Sequence, residues 1–250
     1  MKLKIEPPWT RIEALDRTLS ETGYALLDPQ GVRAWSGLSQ GELDMLLPFW
    51  DRLPPDPHLR DGGRYRRRRH GCYIASESGL QLAPHRAHWQ PLAYNALHGG
   101  MRRWFEPLEE DMLGQAAWSR LIERVAEQAS RLHGSGTWFL EAHPFRIDTT
   151  DGIGRPTPEG AHRDGVDLVA VFMLKRHAIK GGESRVFDAD GPNGLRFTLD
   201  RPWSLLLLDD RRVIHESTPI QPLVNGELGW RDTLVVTCRA KGFQGDKETD

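Results

Sequence analysis

The second half of the chain is a succession of short β-rich segments, and this pattern constrains the fold more than any other feature. Between residues 137 and 240, runs of β-branched and aromatic residues alternate with turn sequences such as DGIG, KGG and GPNG. The runs are TWFLEAHPFRID, VDLVAVFML, SRVFDA, LRFTL, WSLLLLD, RRVIHEST and RDTLVVTCRA. Such short, evenly spaced strands are typical of a sandwich or jelly roll, because a parallel sheet would need crossover helices between them.

The first half of the chain is mixed, and helical patterns are prominent in it. A helix is predicted over residues 10–20, where apolar residues follow a helical spacing behind a Thr10 cap. LSQGELDMLLPFWDRL predicts a second helix, and residues 91–133 form the longest helical stretch. We therefore expect an α+β, mainly β, jelly roll as a single domain over residues 1–250. Its helix-rich part covers about 1–136, its β-rich part covers about 137–240, and a short polar tail follows.

Composition excludes several classes of function. Hydrophobic residues make up 38% of the chain and charged residues 27%, as in ordinary globular proteins. The net charge of −2 gives the whole molecule no electrostatic attraction to nucleic acid or anionic lipid. The sequence shows no signal peptide and no apolar stretch long enough to span a membrane. Two cysteines cannot form a disulfide framework, so a reducing cytoplasm is the expected location.

A histidine and an aspartate stand two residues apart in EGAHRDGVDL, just ahead of an apolar run. If this segment is a strand, His162 and Asp164 project to the same side. His215 comes at the end of another predicted strand, RRVIHEST. Two imidazoles and one carboxylate leave three coordination positions open, which suits non-haem Fe(II). A structural zinc site would use four ligands, commonly thiolates, and neither cysteine is near in sequence.

If such a metal holds a 2-oxo acid, a cation must bind the acid's far carboxylate, and arginine does this best through a bidentate contact. Arg231 opens the predicted strand RDTLVVTCRA. Thr233 shares its face and offers a hydroxyl to the same carboxylate. Arg231 and Thr233 are therefore the predicted site for the co-substrate.

The sequence RYRRRRH, residues 64–70, carries the densest positive charge. Taken alone it suggests a nucleic-acid patch. In a strand, however, alternate arginines face opposite sides, so one face can line a pocket while the other is solvated. Arg146, in the strand before the His-x-Asp motif, is a further candidate for binding an anionic group. His143, in EAHPFRID, is predicted to line the pocket rather than to bind metal.

The order His-x-Asp, then a distant His, then Arg-x-Thr, all among β-strands, resembles the Fe(II)/2-oxoglutarate-dependent dioxygenases. More narrowly, PEGAHRDGVDLV, KGGESRVFD and RDTLVVT resemble the bacterial free-L-amino-acid hydroxylases typified by the isoleucine 4-hydroxylases. GGRYRRRRHGCY, AYNALHGGMRRWF and EAHPFRID are similar to further motifs of that group. The resemblance spans roughly residues 20 to 240.

This resemblance implies a double-stranded β-helix of the cupin-like type, with Fe(II) held by His162, Asp164 and His215. It implies that 2-oxoglutarate chelates the iron and pairs with Arg231. Oxygen then converts 2-oxoglutarate to succinate and CO2 while a substrate C–H bond is oxidised. One or two arginines of RYRRRRH, with Arg66 and Arg68 as the candidates, contact the substrate or 2-oxoglutarate. The expected partners are a small-molecule substrate and O2, without nucleic acid or membrane, and a homodimer is left open.

Three alternatives remain at this point. The same oxidative chemistry can act on a protein or nucleic acid that docks on RYRRRRH. The chain can be a non-catalytic module that senses a metal or a 2-oxo acid, although a pure binder has no use for open coordination positions. Metal-dependent hydrolysis is the third, but it has no need of Arg231 and Thr233 in these places.

Overall fold

The computed structural model describes residues 6–246. Its α-helices are α1 (Leu15–Thr22), α2 (Pro29–Ser36), α3 (Gln40–Asp44), α4 (Glu110–Leu113) and α5 (Ala116–His133). Short 3-10 helices cover Ile12–Ala14 and Leu47–Arg52. The strands are β1 (Tyr24–Leu27), β2 (Arg66–Arg68), β3 (Gly71–Ser76), β4 (Gly79–Leu82), β5 (Trp138–Asp148), β6 (Leu168–His177), β7 (Ile179–Gly181), β8 (Ser184–Asp188), β9 (Gly194–Phe197), β10 (Ser204–Asp209), β11 (Val213–Ser217), β12 (Ile220–Pro222) and β13 (Trp230–Arg239).

The main sheet is antiparallel and follows the order β1-β10-β6-β13-β5-β3-β4. β2 and β3 both pair with β5, along successive stretches of that long strand. Side chains of β13 alternate between the two faces of the sheet, as a strand requires. Leu234 and Val236 belong to the main hydrophobic core, whereas Thr233 and Val235 line a central cavity.

A second layer covers the cavity face of the main sheet. It consists of the three-stranded sheet β11-β8-β9 and the two-stranded sheet β12-β7. The cavity is lined by Val171 and Leu206 from the main sheet and by Ser184 and His215 from the second layer, so it lies between them. The predicted mainly β jelly roll is therefore confirmed, and its interior is the place for a ligand.

The helices pack against the opposite face of the main sheet. α5 contacts β5 and β13, and its apolar stripe joins the main core. Trp50 adds a polar anchor, because its indole N–H donates to the carbonyl oxygens of Phe145 and Thr233 at 3.1 Å each. None of the helices within residues 6–246 combines the length and apolar character that a membrane span needs.

Several local predictions for the first half were wrong. The Thr10 hydroxyl accepts the N–H of Leu26 and does not cap a helix, which begins instead with the 3-10 turn after Arg11. The second predicted helix is divided into α3 and a 3-10 helix, because Pro48 lacks the N–H that an α-helix would use there. Residues 91–109 are irregular, so the long helical stretch starts only at α4. This half also supplies β1–β4 to the main sheet.

Trp118 provides a direct test of the core between α5 and the sheet. Its side chain is fully buried, and its indole N–H donates to the hydroxyl oxygen of Tyr73 at 2.7 Å. We expect Trp118→Ala to lower the free energy of unfolding by about 3–5 kcal/mol, because it leaves a large cavity and an unpaired hydroxyl. Urea denaturation measures this. Trp104→Ala is the control: Trp104 is 56% exposed, and its removal should cost about 0.5 kcal/mol or less.

Candidate functional site

The two candidate histidines face each other across an isolated antiparallel bridge. The N–H of His162 donates to the carbonyl oxygen of His215 at 3.0 Å, and the N–H of His215 donates back at 2.9 Å. Directly opposed residues in an antiparallel pair have neighbouring side chains on one face, and the two ring centres are 4.6 Å apart. His162 Nδ1 lies 2.9 Å from the carbonyl oxygen of Gly160. This nitrogen therefore carries the proton, and Nε2 is left to bind a metal.

Asp164 lies in a loop, and this corrects the prediction that it shares a strand with His162. Gly165 turns the chain with a φ of +77°, a conformation that other residues rarely adopt. The carboxylate of Asp210 fixes the loop, because it accepts the backbone N–H groups of Asp164, Gly165 and Val166 at 3.0, 2.7 and 3.1 Å. A carboxylate that binds consecutive backbone amides makes a rigid turn.

The Asp164 side chain nevertheless meets both histidines. Its Oδ1 is 3.8 Å from His162 Nε2, and its Oδ2 is 3.6 Å from His215 Nε2. The three potential ligand atoms lie within 4.8 Å of one another and face the cavity. Two imidazole nitrogens and one carboxylate on one side of a cavity can hold Fe(II) and leave positions open for other ligands.

The electrostatics of the triad favour a cation. Burial, with His162 nearby, lowers the pKa of His215 to about 3, so its ring is neutral at pH 7 and its lone pair is available. Burial raises the pKa of Asp164, and the charge of Glu141 adds to this effect. A bound metal ion would stabilise the ionised form of the Asp164 carboxylate, which burial disfavours, because metal binding and ligand deprotonation are linked.

Arg231 and Thr233 both line the cavity, as their alternation in β13 predicts. Arg231 is buried; its Nη1 donates to the hydroxyl oxygen of Ser217, and its Nε has no hydrogen-bond partner within residues 6–246. Burial, with Arg176 nearby, lowers the pKa of Arg231 to about 9, so the guanidinium is still charged at pH 7. A buried cation with unused donors beside a threonine hydroxyl can bind a carboxylate.

Three further guanidinium groups gather in the part of the cavity that we call the arginine chamber, made by Arg66, Arg68 and Arg103. All three side chains are buried. Within residues 6–246, Arg66 Nη2, Arg68 Nε and Arg103 Nε are buried without a hydrogen-bond partner. Buried donors are almost always paired in native proteins, so these nitrogens indicate a missing acceptor. The predicted placement of Arg66 and Arg68 at the pocket agrees with this geometry.

Aromatic rings hold the central arginine of the chamber. The guanidinium carbon of Arg68 lies 3.7 Å from the ring centre of Phe105 and 4.4 Å from that of Phe145, a cation–π arrangement. Its Nη2 donates to His143 Nδ1 at 2.6 Å. Burial lowers the pKa of Arg68 well below its ordinary value, and the charge of Arg66 lowers it further. A bound anion would oppose both effects.

His143 belongs to a histidine–glutamate network formed with His70, His88 and Glu141. Oε2 of Glu141 lies 2.7 Å from His70 Nε2 and 2.7 Å from His88 Nδ1, so it accepts two imidazole N–H groups. These side chains also lie close enough to bind an ion, but the two short contacts are hydrogen bonds and the adjacent Arg68 opposes a second cation. We interpret the network as the support of the arginine chamber. His143 lines the cavity, as predicted.

Arg146 does not reach the cavity, so its prediction as an anion ligand is corrected. In β5, His143, Phe145 and Ile147 line the cavity, and the alternation of the strand places Arg146 on the other face. There its guanidinium pairs with Asp232 at 2.7 Å and with Asp51 at 2.8 Å.

The remaining arginines of RYRRRRH are paired at or near the surface. Arg64 pairs with Asp151 at 2.9 Å, and Arg69 pairs with Glu109 at 3.0 Å. The weaker contact between Arg67 and Asp148 is 3.7 Å long. Acidic side chains therefore largely neutralise the arginines of RYRRRRH that lie outside the cavity.

Comparison with known proteins agrees with this site. The 2OG-Fe dioxygenase family model matches residues 47–237. The chain belongs to this family. The family uses Fe(II) and 2-oxoglutarate, which the geometry of the triad and Arg231 can accommodate, and the chain is therefore an Fe(II)/2-oxoglutarate-dependent enzyme. No curated protein matches the chain in sequence.

Solved structures extend the comparison. A bsmA homologue from Methylobium petroleophilum PM1 is 51% identical, with a TM-score of 0.90 over 97% of this chain and 98% of that one. IDO from Bacillus thuringiensis is 18% identical, with a TM-score of 0.75 over 92% of this chain and 100% of that one. The Fe(II)/(alpha)ketoglutarate-dependent dioxygenase TqaL is 19% identical, with a TM-score of 0.71 over 94% and 88%. The last two show a common fold.

Sequence reasoning missed four residues of the site. Arg103 lies in the irregular segment that was predicted as helix, and Gln90 lies just before that segment, so no periodicity indicated their direction. Glu159 lies only three residues before His162, in the quoted motif, and its carboxylate is 3.4 Å from His162 Nε2. Asp210 directly follows the buried strand β10 as the second residue of an Asp-Asp pair, and that position is the one signal that singles it out.

Proposed function

We propose that this dioxygenase hydroxylates a free L-amino acid or a closely related small metabolite. In this proposal His162, Asp164 and His215 hold Fe(II), and Arg231 with Thr233 binds the far carboxylate of 2-oxoglutarate. The observation that carries the proposal is the arginine chamber, which opens on the same cavity as the triad and has three buried donors to spare.

The bound iron and 2-oxoglutarate supply the oxidising chemistry, in which O2 yields succinate, CO2 and a hydroxylated substrate carbon. The protein's part is to bind, to orient and to exclude water. His162 and His215 direct ring nitrogens toward one point of the cavity, and Asp164 offers its carboxylate there. Arg231 anchors the co-substrate from β13, on a rigid central strand, which fixes its orientation.

The charge balance of the chamber calls for one anionic group on the substrate. Three arginines are accompanied by two buried carboxylates, of which Asp56 accepts from Arg66 Nε at 2.6 Å and Glu141 belongs to the histidine–glutamate network. The histidines add no compensating negative charge, and burial lowers the pKa of His88 to about 4, which keeps that ring neutral. The carboxylate of Glu159 also lies in the cavity and acts on Arg103, and if it pairs with a cationic group of the substrate, one positive charge of the chamber remains. The carboxylate of an amino acid would neutralise that charge.

Glu159 supports an amino group on the same substrate. It lines the cavity beside His162, and its carboxylate is not engaged by an arginine or lysine within residues 6–246. A buried carboxylate that faces a cavity can pair with an ammonium group. A substrate with an anionic and a cationic end therefore fits the site better than a plain organic acid.

A small substrate also fits the space better than a macromolecule does. The cavity has a volume of about 150 Å³, which is small beside the ~300–1,000 Å³ of common ligand pockets. The pairing of Arg64 and Arg69 with acidic residues weakens the positive surface on which a polyanion would dock. Both observations favour the free metabolite over a protein or nucleic-acid substrate.

The test is to incubate Fe(II)-loaded protein with 2-oxoglutarate and a panel of L-amino acids, and to measure succinate and the hydroxylated product. We expect at least one apolar amino acid to give coupled turnover. The matching 2-hydroxy acid, which lacks the ammonium group, should react more slowly. If no amino acid stimulates succinate formation above the substrate-free rate, the proposed substrate class is wrong.

Two arginines of RYRRRRH allow the role of the arginine chamber to be distinguished from that of the protein surface. Arg68→Met should raise the KM for the reactive amino acid on the order of 10- to 100-fold, because it removes a charged hydrogen bond from a buried site. Arg64→Met is the matched control, since the Arg64 side chain is 76% exposed and paired with Asp151, and its KM should not change. Equal KM values for the two variants would contradict the assignment of the substrate anion to the chamber.

A further inference from the structure

Gln90 connects the arginine chamber to the proposed iron ligand Asp164. Its Nε2 donates to Asp164 Oδ1 at 3.1 Å. Its Oε1 accepts from Arg103 Nη2 at 2.9 Å and from Asn95 Nδ2 at 3.0 Å. The side chains of Gln90, Asn95 and Arg103 are buried. One amide therefore touches both the carboxylate of the triad and a guanidinium of the chamber.

The orientation of this amide is fixed by a chain of hydrogen bonds that ends on the backbone. The N–H of His98 donates to Asn95 Oδ1 at 2.7 Å, so Asn95 must present its NH2 group to Gln90. Arg103 can only donate. Both neighbours thus require the oxygen of Gln90 on their side, which leaves its NH2 group for Asp164. If the Gln90 amide were flipped, its NH2 group would face the donors of Asn95 and Arg103, and its oxygen would face the carboxylate of Asp164.

The contact also divides the roles of the two oxygens of Asp164. Oδ1 accepts from Gln90. Oδ2 accepts no hydrogen bond within residues 6–246, and it lies 3.6 Å from His215 Nε2. A side chain held through one oxygen has its rotamer fixed while the other oxygen stays available.

We propose that Gln90 is a positioning residue, which orients Asp164 for the metal and couples its orientation to an anion bound at Arg103. The inference rests on the proposed metal site, but it does not depend on which substrate the enzyme takes. Arg103 Nε is buried without a partner within residues 6–246, so an arriving carboxylate would hydrogen-bond to the same guanidinium that holds Gln90. An anion that holds Arg103 in place would therefore also hold the Gln90 amide, and the amide would hold the carboxylate of Asp164.

Metal affinity measured without any substrate tests the first half of this inference. Anaerobic titration with Co(II), a spectroscopic substitute for Fe(II), should show affinity about 10- to 100-fold weaker in Gln90→Leu and in Gln90→Glu than in the parent protein. Gln90→Glu keeps an acceptor for Arg103 and Asn95 but loses the donor to Asp164. It therefore distinguishes positioning from simple packing, which Gln90→Leu alone does not. Gln81→Leu, at an exposed position of β4, is the control and should bind Co(II) as the parent does.

The second half is tested by a double-mutant cycle between Arg103 and Gln90. Arg103→Lys should change Co(II) affinity at least about threefold in the parent background and leave it unchanged in Gln90→Leu. An equal effect in both backgrounds would overturn the coupling, and parental Co(II) affinity in both Gln90 variants would overturn the positioning role. If the parent protein itself fails to bind Co(II), the proposed metal site fails, which is a different result from either of these.

Discussion

Asp164→Ala is expected to abolish 2-oxoglutarate turnover and to weaken Fe(II) binding by more than about 100-fold. Losing even an outer hydrogen-bond partner of a metal ligand commonly costs about 10- to 100-fold, and this change removes the only carboxylate of the proposed ligand set. Anaerobic Fe(II) titration measures the affinity, and succinate formation measures turnover. Two neutral imidazoles alone provide neither the charge nor the third ligand that holds a hard divalent ion on one side of a cavity.

The same substitution should change the stability of the metal-free protein little. Burial raises the pKa of Asp164, which means that its charged form is less favoured in the folded state than in the unfolded chain. Removing the carboxylate relieves this penalty but leaves the buried NH2 group of Gln90 without its acceptor, so the midpoint of thermal unfolding without metal should shift by less than about 5 °C. Asp190→Ala, on an exposed turn between β8 and β9, is the control for both measurements. Parental Fe(II) affinity in Asp164→Ala would refute the proposed ligand set.

Much of the proposed site could be predicted because its strongest signals are local and chemical. His162 and Asp164 are close in sequence, which keeps their side chains near one another. Arg231 and Thr233 stand two residues apart in one strand, so period-two reasoning brings that pair to one face. The pairing of His215 with His162 could not be derived from spacing. It depends on a bridge between two distant segments. Residue type suggested His215 as the third ligand but did not place it opposite His162.

The same reasoning failed where the backbone departs from regular structure. Asp164 reaches the triad from a loop held by the Asp210 carboxylate, and no periodicity encodes a turn fixed by a residue so far away in the chain. The prediction that the side chains of Asp164 and His162 project together was therefore right, but Asp164 does not lie in the strand from which it was derived. Gln90 and Arg103 belong to an irregular segment that is positioned by its own side-chain hydrogen bonds. The predicted helical stretch over residues 91–133 therefore began too early, because its apolar face belongs to α5.

Arginines show why residue type alone does not locate a ligand site. Arg146 and Arg68 lie on neighbouring strands and have the same chemistry, yet one pairs with Asp232 and the other points into the cavity. Strand alternation decides between them, but only once the register of the β2–β5 pairing is known, with Arg68 opposite Phe145. Register between segments that are distant in the chain is set by the packed core as a whole, which the sequence of either segment does not contain.

The second large expected effect concerns Arg231, another arginine that lines the cavity. Arg231→Met should raise the KM for 2-oxoglutarate by at least about 100-fold, because the co-substrate carboxylate would be buried without its partner, a loss of about 3–5 kcal/mol. Fe(II) affinity measured without 2-oxoglutarate should remain parental, since Arg231 is not part of the triad. Steady-state succinate formation over a range of 2-oxoglutarate concentrations gives the KM.

Arg146→Met is the matched control for Arg231→Met, because Arg146 lies on the adjacent strand but on the opposite face of the sheet. It should leave the KM for 2-oxoglutarate unchanged, even if loss of the pairs with Asp232 and Asp51 lowers stability. Thr233→Val should have a smaller effect than Arg231→Met, about 10-fold, since it removes a single hydrogen bond from an uncharged donor. A parental KM in Arg231→Met would mean that the co-substrate carboxylate binds in the arginine chamber instead, and the substrate anion would then need another partner.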